Sequence, residues 1–188
     1  MFEKNRDAVF DTCVLFPPTF RDVIVQLALN GCVNLRIPTI VLYELERVLS
    51  EKGHLDDVAA RRATKKLAES FLRRTDIQPM NIGDEGILEY CASNQIRILV
   101  TENVRDFPVS DRLAVLTLSE FLISLGSQEL GCLAIAVTQL TSRYTRPRMS
   151  EAEYLDKLEK IGLGAVSRLV KTSRTHSQSA GFPEHPHL

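Results

Sequence analysis

Four acidic residues have the types and positions expected of a cation-binding site. They are Asp11, Glu44, Asp84 and Asp106. Asp11 directly follows the apolar run Ala8-Val9-Phe10, which predicts a short strand buried on both faces. Asp106 lies in the polar loop after a second apolar strand at 97–101. Because the carboxyl ends of parallel strands meet at one edge of a sheet, we expect these acids to meet there, with Glu44 and Asp84 reaching the same edge from helices.

Carboxylates gathered in this way predict a particular chemistry. Hard oxygen ligands without Cys or His partners select Mg²⁺ or Mn²⁺ over zinc. Such an ion serves reactions at phosphate, because it neutralises the oxyanion, activates a water and stabilises the leaving oxygen. We therefore assign catalytic and metal-binding roles to all four acids. Thr101 and Asn103 are assigned a supporting role, holding a ligand or a water in place.

Each of three acids also has a purely structural interpretation. Asp11 could cap the helix that follows it or form an Asx turn. Asp84 stands at the predicted start of a helix and could be its N-cap. Glu44 borders the apolar stripe of a helix predicted at 39–51, where a glutamate is commonly a surface residue. These interpretations remain open at the level of the sequence.

Several other sites are excluded by their missing motifs. The chain has no GxxxxGK[ST] phosphate loop and no GxGxxG opening a helix. A haloacid-dehalogenase-type phosphatase requires a second Asp two residues after the first, and Cys13 stands there. No CxxC pair is present, and three of the four histidines lie in the last stretch of the chain, so a zinc site is not expected.

The order of the predicted elements indicates the fold class. Strands at 8–10, 77–80, 97–101 and 114–118 alternate with helices, which is typical of an α/β fold with a parallel central sheet flanked by helices. Residues 1–118 are predicted to form this α/β domain. A helical C-terminal extension at 119–171 is predicted to pack on it. Residues 172–188 have little to bury and are predicted to be a disordered tail.

Two features bear on where the protein resides. No apolar run is long enough to span a bilayer, so we expect no membrane association. The N-terminal residues are too polar for a secretory signal. We therefore expect a cytoplasmic protein.

Four segments, in order, resemble those of the PIN domain, the nuclease fold of VapC-like toxins. Asp11-Thr12-Cys13-Val14-Leu15-Phe16-Pro17 is similar to the DxCVLYP-type opening of one branch, in which Cys13 is expected. Leu42-Tyr43-Glu44-Leu45 resembles the segment with the second acid, and Asp84-Glu85-Gly86-Ile87-Leu88 the D-x-H-V-L segment, with Gly86 in place of the usual His. Residues 99–108 are similar to the family's VTxNxxDFP nearly throughout. The helical C-terminus also looks like that branch, so the resemblance covers about residues 7 to 171.

The resemblance implies a PIN-like fold and a metal-dependent endoribonuclease that uses Mg²⁺ or Mn²⁺. It implies that residues 1–118 are the nuclease domain of the toxin of a type II toxin–antitoxin pair. Toxins of this family cut structured RNA, commonly transfer or ribosomal RNA, are held inactive by an antitoxin protein, and tend to form homodimers. None of these points follows from composition or spacing.

Basic residues outside the acid cluster are candidates for holding RNA, although the net charge of the chain is only -1. The candidates are Arg61, Arg62, Lys65, Lys66, Arg143, Arg146 and Arg148. Two alternative functions remain. One is a PIN-like RNA-binding module that has lost its activity, and the other is an α/β phosphatase of another family.

Overall fold

The computed structural model describes residues 7–52, 55–73, 75–144 and 148–179. The chain divides into two compact units, Met1–Phe121 and Leu122–Leu188.

The first unit is built on a four-stranded parallel sheet. Its strands are β1 (Asp7–Phe10), β2 (Asn34–Arg36), β3 (Ile98–Val100) and β4 (Ala114–Leu116), in the spatial order β2-β1-β3-β4. Ala8, Val9 and Phe10 are fully buried, as a central strand covered on both faces requires. The predicted α/β class with a parallel sheet flanked by helices is confirmed.

Helices connect the strands, as parallel pairing requires. They are α1 (Thr12–Leu15), α2 (Pro18–Leu29), α3 (Thr39–Glu51), α4 (Asp57–Phe71) and α5 (Gly83–Ser93). A 3-10 turn, Val104–Asp106, precedes β4, and α6 (Leu118–Gln128) follows it. Helix α3 has the predicted bounds because its buried residues Val41, Leu42, Leu45 and Leu49 recur at helical spacing.

The second strand of the chain differs from the prediction. Residues 77–80 form no strand, and Ile77 and Met80 are largely exposed. The strand is instead Asn34–Arg36, whose arginine is buried beside the sheet. The prediction relied on apolar content and therefore chose residues 77–80 over the segment that contains Arg36. Arg36 can nevertheless be buried in a strand, because acidic partners distant in sequence compensate its charge.

A buried charge network surrounds Arg36. Its guanidinium donates to Asp7 Oδ2 at 2.6 Å and, through Nε and Nη2, to both carboxylate oxygens of Asp76. The Tyr90 hydroxyl, on α5, donates to Asp76 as well. Asp7 and Asp76 are nearly buried. The network therefore links β1, β2, the segment before α5 and α5 itself.

The second unit is helical. It contains most of α6, then α7 (Leu130–Arg143), α8 (Glu151–Leu158), a π-helical turn (Glu159–Leu163) and α9 (Gly164–Ser179). Ser150 and Glu153 form the capping box that their spacing predicts at the start of α8. Gly162, at φ +90°, breaks the helix before α9.

The boundary predicted for the disordered tail lies too early in the chain. Helix α9 continues to Ser179, eight residues beyond the predicted boundary at 171, because extending a helix already packed through Val166 and Val170 costs little per residue. Residues 180–188 lie outside the described residues. No single helix in the described part of the chain is long and apolar enough to cross a membrane. The helices Leu118–Gln128 and Gly131–Arg143 meet this length and composition test only as a pair, which is bent by 116°.

Candidate active site

The candidate site begins where β1 and β3 end side by side. Phe10 and Val100 are their last paired residues. The next backbone N–H on each strand stays within the sheet, since Asp11 N donates to Val100 O and Thr101 N donates to Leu116 O, both at 2.9 Å. Asp11 and Thr101 therefore leave the sheet together at its carboxyl edge, as predicted from the sequence.

The carboxylate of Asp11 is held by three donors. Its Oδ1 accepts the backbone N–H of Thr12 at 2.6 Å, and its Oδ2 accepts the Thr101 hydroxyl at 2.7 Å and the Cys13 thiol at 3.1 Å. Asp11 is also the N-cap of α1, so its structural interpretation as a helix cap is confirmed. The carboxylate can bind further groups besides capping the helix, because its two oxygens offer about four acceptor positions.

Glu44 reaches the site through Thr12. The residue is exposed on α3, and its Oε2 accepts the Thr12 hydroxyl at 2.9 Å. Thr12 is buried next to Asp11, so one threonine joins the first acid to the second across 32 residues. Sequence reasoning missed Thr12. The only available signal was its position directly after Asp11.

Asp84 is the acid whose pKa is affected by the charges of the other three. It occupies the second position of α5, whose N-cap is Ile82, so the interpretation of Asp84 as the N-cap is wrong. Desolvation, and then the charges of Asp11, Asp106 and Glu44, raise the pKa of Asp84. The side chain is exposed, so solvent weakens this repulsion without reversing its direction. The charges of the other three predicted acids thus act on the Asp84 carboxyl.

Asp106 and Asn103 are arranged around Thr101. The Asn103 N–H donates to the Thr101 hydroxyl oxygen at 3.1 Å, and the Asp106 N–H donates to the Asn103 carbonyl at 3.0 Å. Both side chains are exposed, whereas Thr101 is fully buried. Thr101 therefore anchors the loop that carries Asp106. The role predicted for Thr101 and Asn103, holding a ligand or a water in place, stays a prediction.

Cys13 is a second residue that sequence reasoning did not place in contact with the acids. Its sulfur lies 3.3 Å from the Thr101 hydroxyl and accepts the Glu102 N–H at 3.3 Å. Burial, aided by the negative charge of Asp11, raises the pKa of Cys13 to about 11. The thiol is neutral at pH 7, so it serves as a hydrogen-bond donor to Asp11 and is a poor metal ligand.

The donor set suits a hard divalent cation, because it consists of carboxylate and hydroxyl oxygens beside a neutral thiol. Within residues 7–52, 55–73, 75–144 and 148–179, however, no three or more His, Cys, Asp or Glu side chains are grouped closely enough to hold a metal ion. The acids are within range of one another's charge but not at ligand spacing. A cation would require them to approach further.

Gly86 lies where there is no room for a side chain. A Cβ placed on Gly86 would lie 2.4 Å from the Asn81 carbonyl oxygen and 2.8 Å from Cδ1 of Ile40. Ile40 lies one turn before Glu44 on α3 and therefore on the same face. The position at which the resembling family usually has His is thus filled by backbone and by α3 in this chain.

The predicted RNA-binding residues fall into separate groups. Arg61, Arg62, Lys65 and Lys66 are exposed on α4 in the first unit. Arg143 and Arg148 are exposed in the second unit. Arg146 lies outside the described residues.

Comparison with known proteins does not identify the chain. No protein-family model matches the sequence, and no curated protein matches it.

Proposed function

We propose that the protein is an endoribonuclease of the PIN type that depends on Mg²⁺ or Mn²⁺. The observation that carries the proposal is the hydrogen-bonded cluster in which Thr101 and Thr12 hold Asp11 and Thr12 also holds Glu44. The charges of Asp11, Asp106 and Glu44 add to desolvation in raising the pKa of Asp84, which supports the nearness of all four acids. These residues come from four distant parts of the chain, and Asp11 lies at the carboxyl edge of the parallel sheet, where α/β proteins bind ligands. Like charges near one another are destabilising, and pKa values shifted in this way are common at functional sites.

Asp11, Glu44, Asp84 and Asp106 would hold the cation. When bound, Mg²⁺ or Mn²⁺ neutralises charge on the phosphate oxygens and lowers the pKa of a water. The remaining residues orient the acids. The Thr101 hydroxyl and the Thr12 backbone N–H fix Asp11, and the Thr12 hydroxyl holds Glu44. Asn103 is exposed beside Thr101, where its side chain can order a water or a phosphate oxygen.

The biological setting is proposed from the motif resemblance alone. In that setting the protein is a cytoplasmic toxin of a toxin–antitoxin pair. Its substrate is structured RNA such as transfer or ribosomal RNA. A cognate antitoxin protein restrains it, and it forms homodimers.

The test is RNA cleavage by wild type and Asp11→Asn. Asn caps a helix about as well as Asp, so the variant should fold. We expect cutting in Mg²⁺ or Mn²⁺, none in excess chelator, and a loss of at least about a hundredfold in Asp11→Asn. Asp111→Asn, which changes an exposed acid outside the cluster, is the matched control and should cut like wild type.

Four results would contradict the proposal. Full cutting in chelator would exclude the metal, and an active Asp11→Asn would exclude the cluster. RNA binding without cutting in any divalent cation would indicate a binding module that has lost its activity. Turnover of a small phosphoester while RNA stays intact would indicate a phosphatase.

A further inference from the structure

A groove runs between α3 and α4 on the first unit, and Tyr43 in its lining directly precedes Glu44 in the chain. The groove encloses about 300 Å³. We call it the Tyr43 groove and define it by Thr39, Tyr43 and Glu46 on α3 and by Arg61 and Lys65 on α4. The roles assigned to the four acids do not involve this groove.

Tyr43 supplies an aromatic surface directly beside a candidate metal ligand. Its side chain is 73% exposed, and its hydroxyl makes no hydrogen bond to any residue in the described part of the chain. Tyr43 precedes Glu44, and neighbours on a helix point about 100° apart. The ring therefore lies on the side of α3 that faces α4, next to Glu44 in the chain. An aromatic ring left in water in this position offers a stacking surface.

Two cations lie across the groove from the ring. Arg61 Nε is 3.2 Å from Glu46 Oε1, and Lys65 Nζ is 3.8 Å from Glu69 Oε1. Both cations are largely exposed, and ion pairs of this kind contribute about 0–1 kcal/mol. Either cation can therefore exchange its carboxylate for a phosphate at little cost. Glu46 is also engaged by the Thr64 hydroxyl at 3.1 Å, which holds it against the groove wall.

We propose that the Tyr43 groove binds one unpaired nucleotide of the RNA, with the base stacked on Tyr43 and a phosphate held by Arg61 and Lys65. The inference rests on the proposed endoribonuclease function and specifies its substrate. A base can stack on Tyr43 only if it is not stacked inside a duplex. The RNA must therefore be single-stranded, at a loop or a flexible segment, next to the phosphate that meets the acids.

The same arrangement divides the basic residues of α4. Arg61 and Lys65 line the groove, whereas their sequence neighbours Arg62 and Lys66 are exposed but do not line it. Stacking does not distinguish one base from another, because every base has a π-face. The groove therefore selects unpaired RNA and does not select its sequence.

The test is direct binding of a labelled uridine pentanucleotide, measured by fluorescence anisotropy in EDTA so that no cutting interferes. We expect Tyr43→Ala to weaken binding about tenfold, and Tyr43→Phe, which keeps the ring, to bind within about twofold of wild type. Lys65→Gln should weaken binding more than Lys66→Gln does and should reduce the salt slope by about one. The matched control Lys160→Gln changes an exposed lysine of the second unit and should leave both unchanged. A short RNA duplex should bind equally to wild type and Tyr43→Ala.

The outcomes separate this inference from the nuclease. RNA cutting that is unaltered in Tyr43→Ala and Lys65→Gln, with unaltered pentanucleotide binding, would overturn the groove and leave the nuclease standing. Binding that depends on Tyr43 and Lys65 in a protein that never cuts RNA would support the groove and overturn the nuclease. Equal losses in Lys65→Gln and Lys66→Gln would show a diffuse basic face and overturn the groove, even if Tyr43→Ala does not fold.

Discussion

The hydroxyl of Thr101 donates a 2.7 Å hydrogen bond to Oδ2 of Asp11, joining two strand ends that are 90 residues apart. The same oxygen accepts the N–H of Asn103. The buried Thr101 hydroxyl therefore fixes both Asp11 and the loop that carries Asp106. This relationship makes Thr101 the centre of the candidate site, although it carries no charge.

Thr101→Val should damage the site more than its small change in shape suggests. The variant removes one of the three donors to the Asp11 carboxylate and the acceptor of the Asn103 N–H, and a hydrogen bond to a charged group is worth about 1.5–3 kcal/mol. We expect a loss of unfolding free energy in that range by urea denaturation, together with weaker Mg²⁺ binding by calorimetry. Thr101→Ser keeps the hydroxyl and should retain metal binding. Equal metal affinity in the Val and Ser variants would contradict this role.

Asp84→Asn should raise the melting temperature of the protein in chelator at pH 7. The raised pKa of Asp84 means that its charged form is less favourable in the folded than in the unfolded state, so the carboxyl lowers stability once pH exceeds its pKa. The substitution removes this cost, and it also removes an attraction to the α5 dipole of about 0.3–1 kcal/mol, which we expect to be smaller.

The pH dependence supplies the check on Asp84. As pH falls through the raised pKa of Asp84, the wild-type carboxyl takes up a proton, and the advantage of Asp84→Asn should disappear. Added Mg²⁺ should stabilise wild type more than the variant, because a ligand that binds only the folded state stabilises it by mass action. Thermal melts from pH 4 to pH 8, with and without Mg²⁺, measure both effects. A variant that melts like wild type throughout would remove Asp84 from the cluster.

Arg36→Met should be strongly destabilising. It leaves Asp7 and Asp76 nearly buried without their cation, and breaking a buried pair by removing one partner costs about 3–5 kcal/mol. Tyr90→Phe removes only one donor to Asp76 and should cost about 1 kcal/mol. Urea denaturation of both variants tests the order. Combining Arg36→Met with Asp7→Asn and Asp76→Asn should recover part of the loss, whereas a purely additive triple variant would argue against the network.

Gly86→Ala should lower stability and weaken Mg²⁺ binding together. The added methyl group meets the Asn81 carbonyl and the Ile40 side chain, so the backbone at Asn81, three residues before Asp84, must shift, at a cost of about 1–3 kcal/mol. Gly131→Ala is the matched control, because Gly131 is also helical but has nothing within 4 Å of an added Cβ. That change should be neutral or stabilising by up to about 1 kcal/mol. Similar effects at both glycines would show that Gly86 reports only helix propensity.

Features that depend on neighbouring residues could be predicted from the sequence. The apolar run before Asp11 predicted β1, and the spacing of Ser150 and Glu153 predicted the capping box. Both are determined within a few residues. The parallel class followed from the alternation of strands and helices, and this placed Asp11 and Thr101 at one edge.

Features that depend on distant partners could not be predicted in this way. β2 was missed because Arg36 becomes compatible with burial only through Asp7 and Asp76, 29 and 40 residues away. The Thr12–Glu44 bond spans 32 residues, and the Cys13–Thr101 contact spans 88. Nothing local to Gly86 indicates that Ile40, 46 residues earlier in the chain, lies against it.

The strand order also determines when, during synthesis of the chain, the candidate site can first form. β1 lies in the middle of the sheet, yet its partner β3 follows about 90 residues later. At about 5–20 residues per second, a ribosome takes roughly 5–18 s to make that interval, and non-local parallel pairing is itself slow. Throughout that time one edge of β1 has no strand beside it, and Asp11 has no Thr101. A nascent chain therefore assembles the acid cluster only after β3 has emerged.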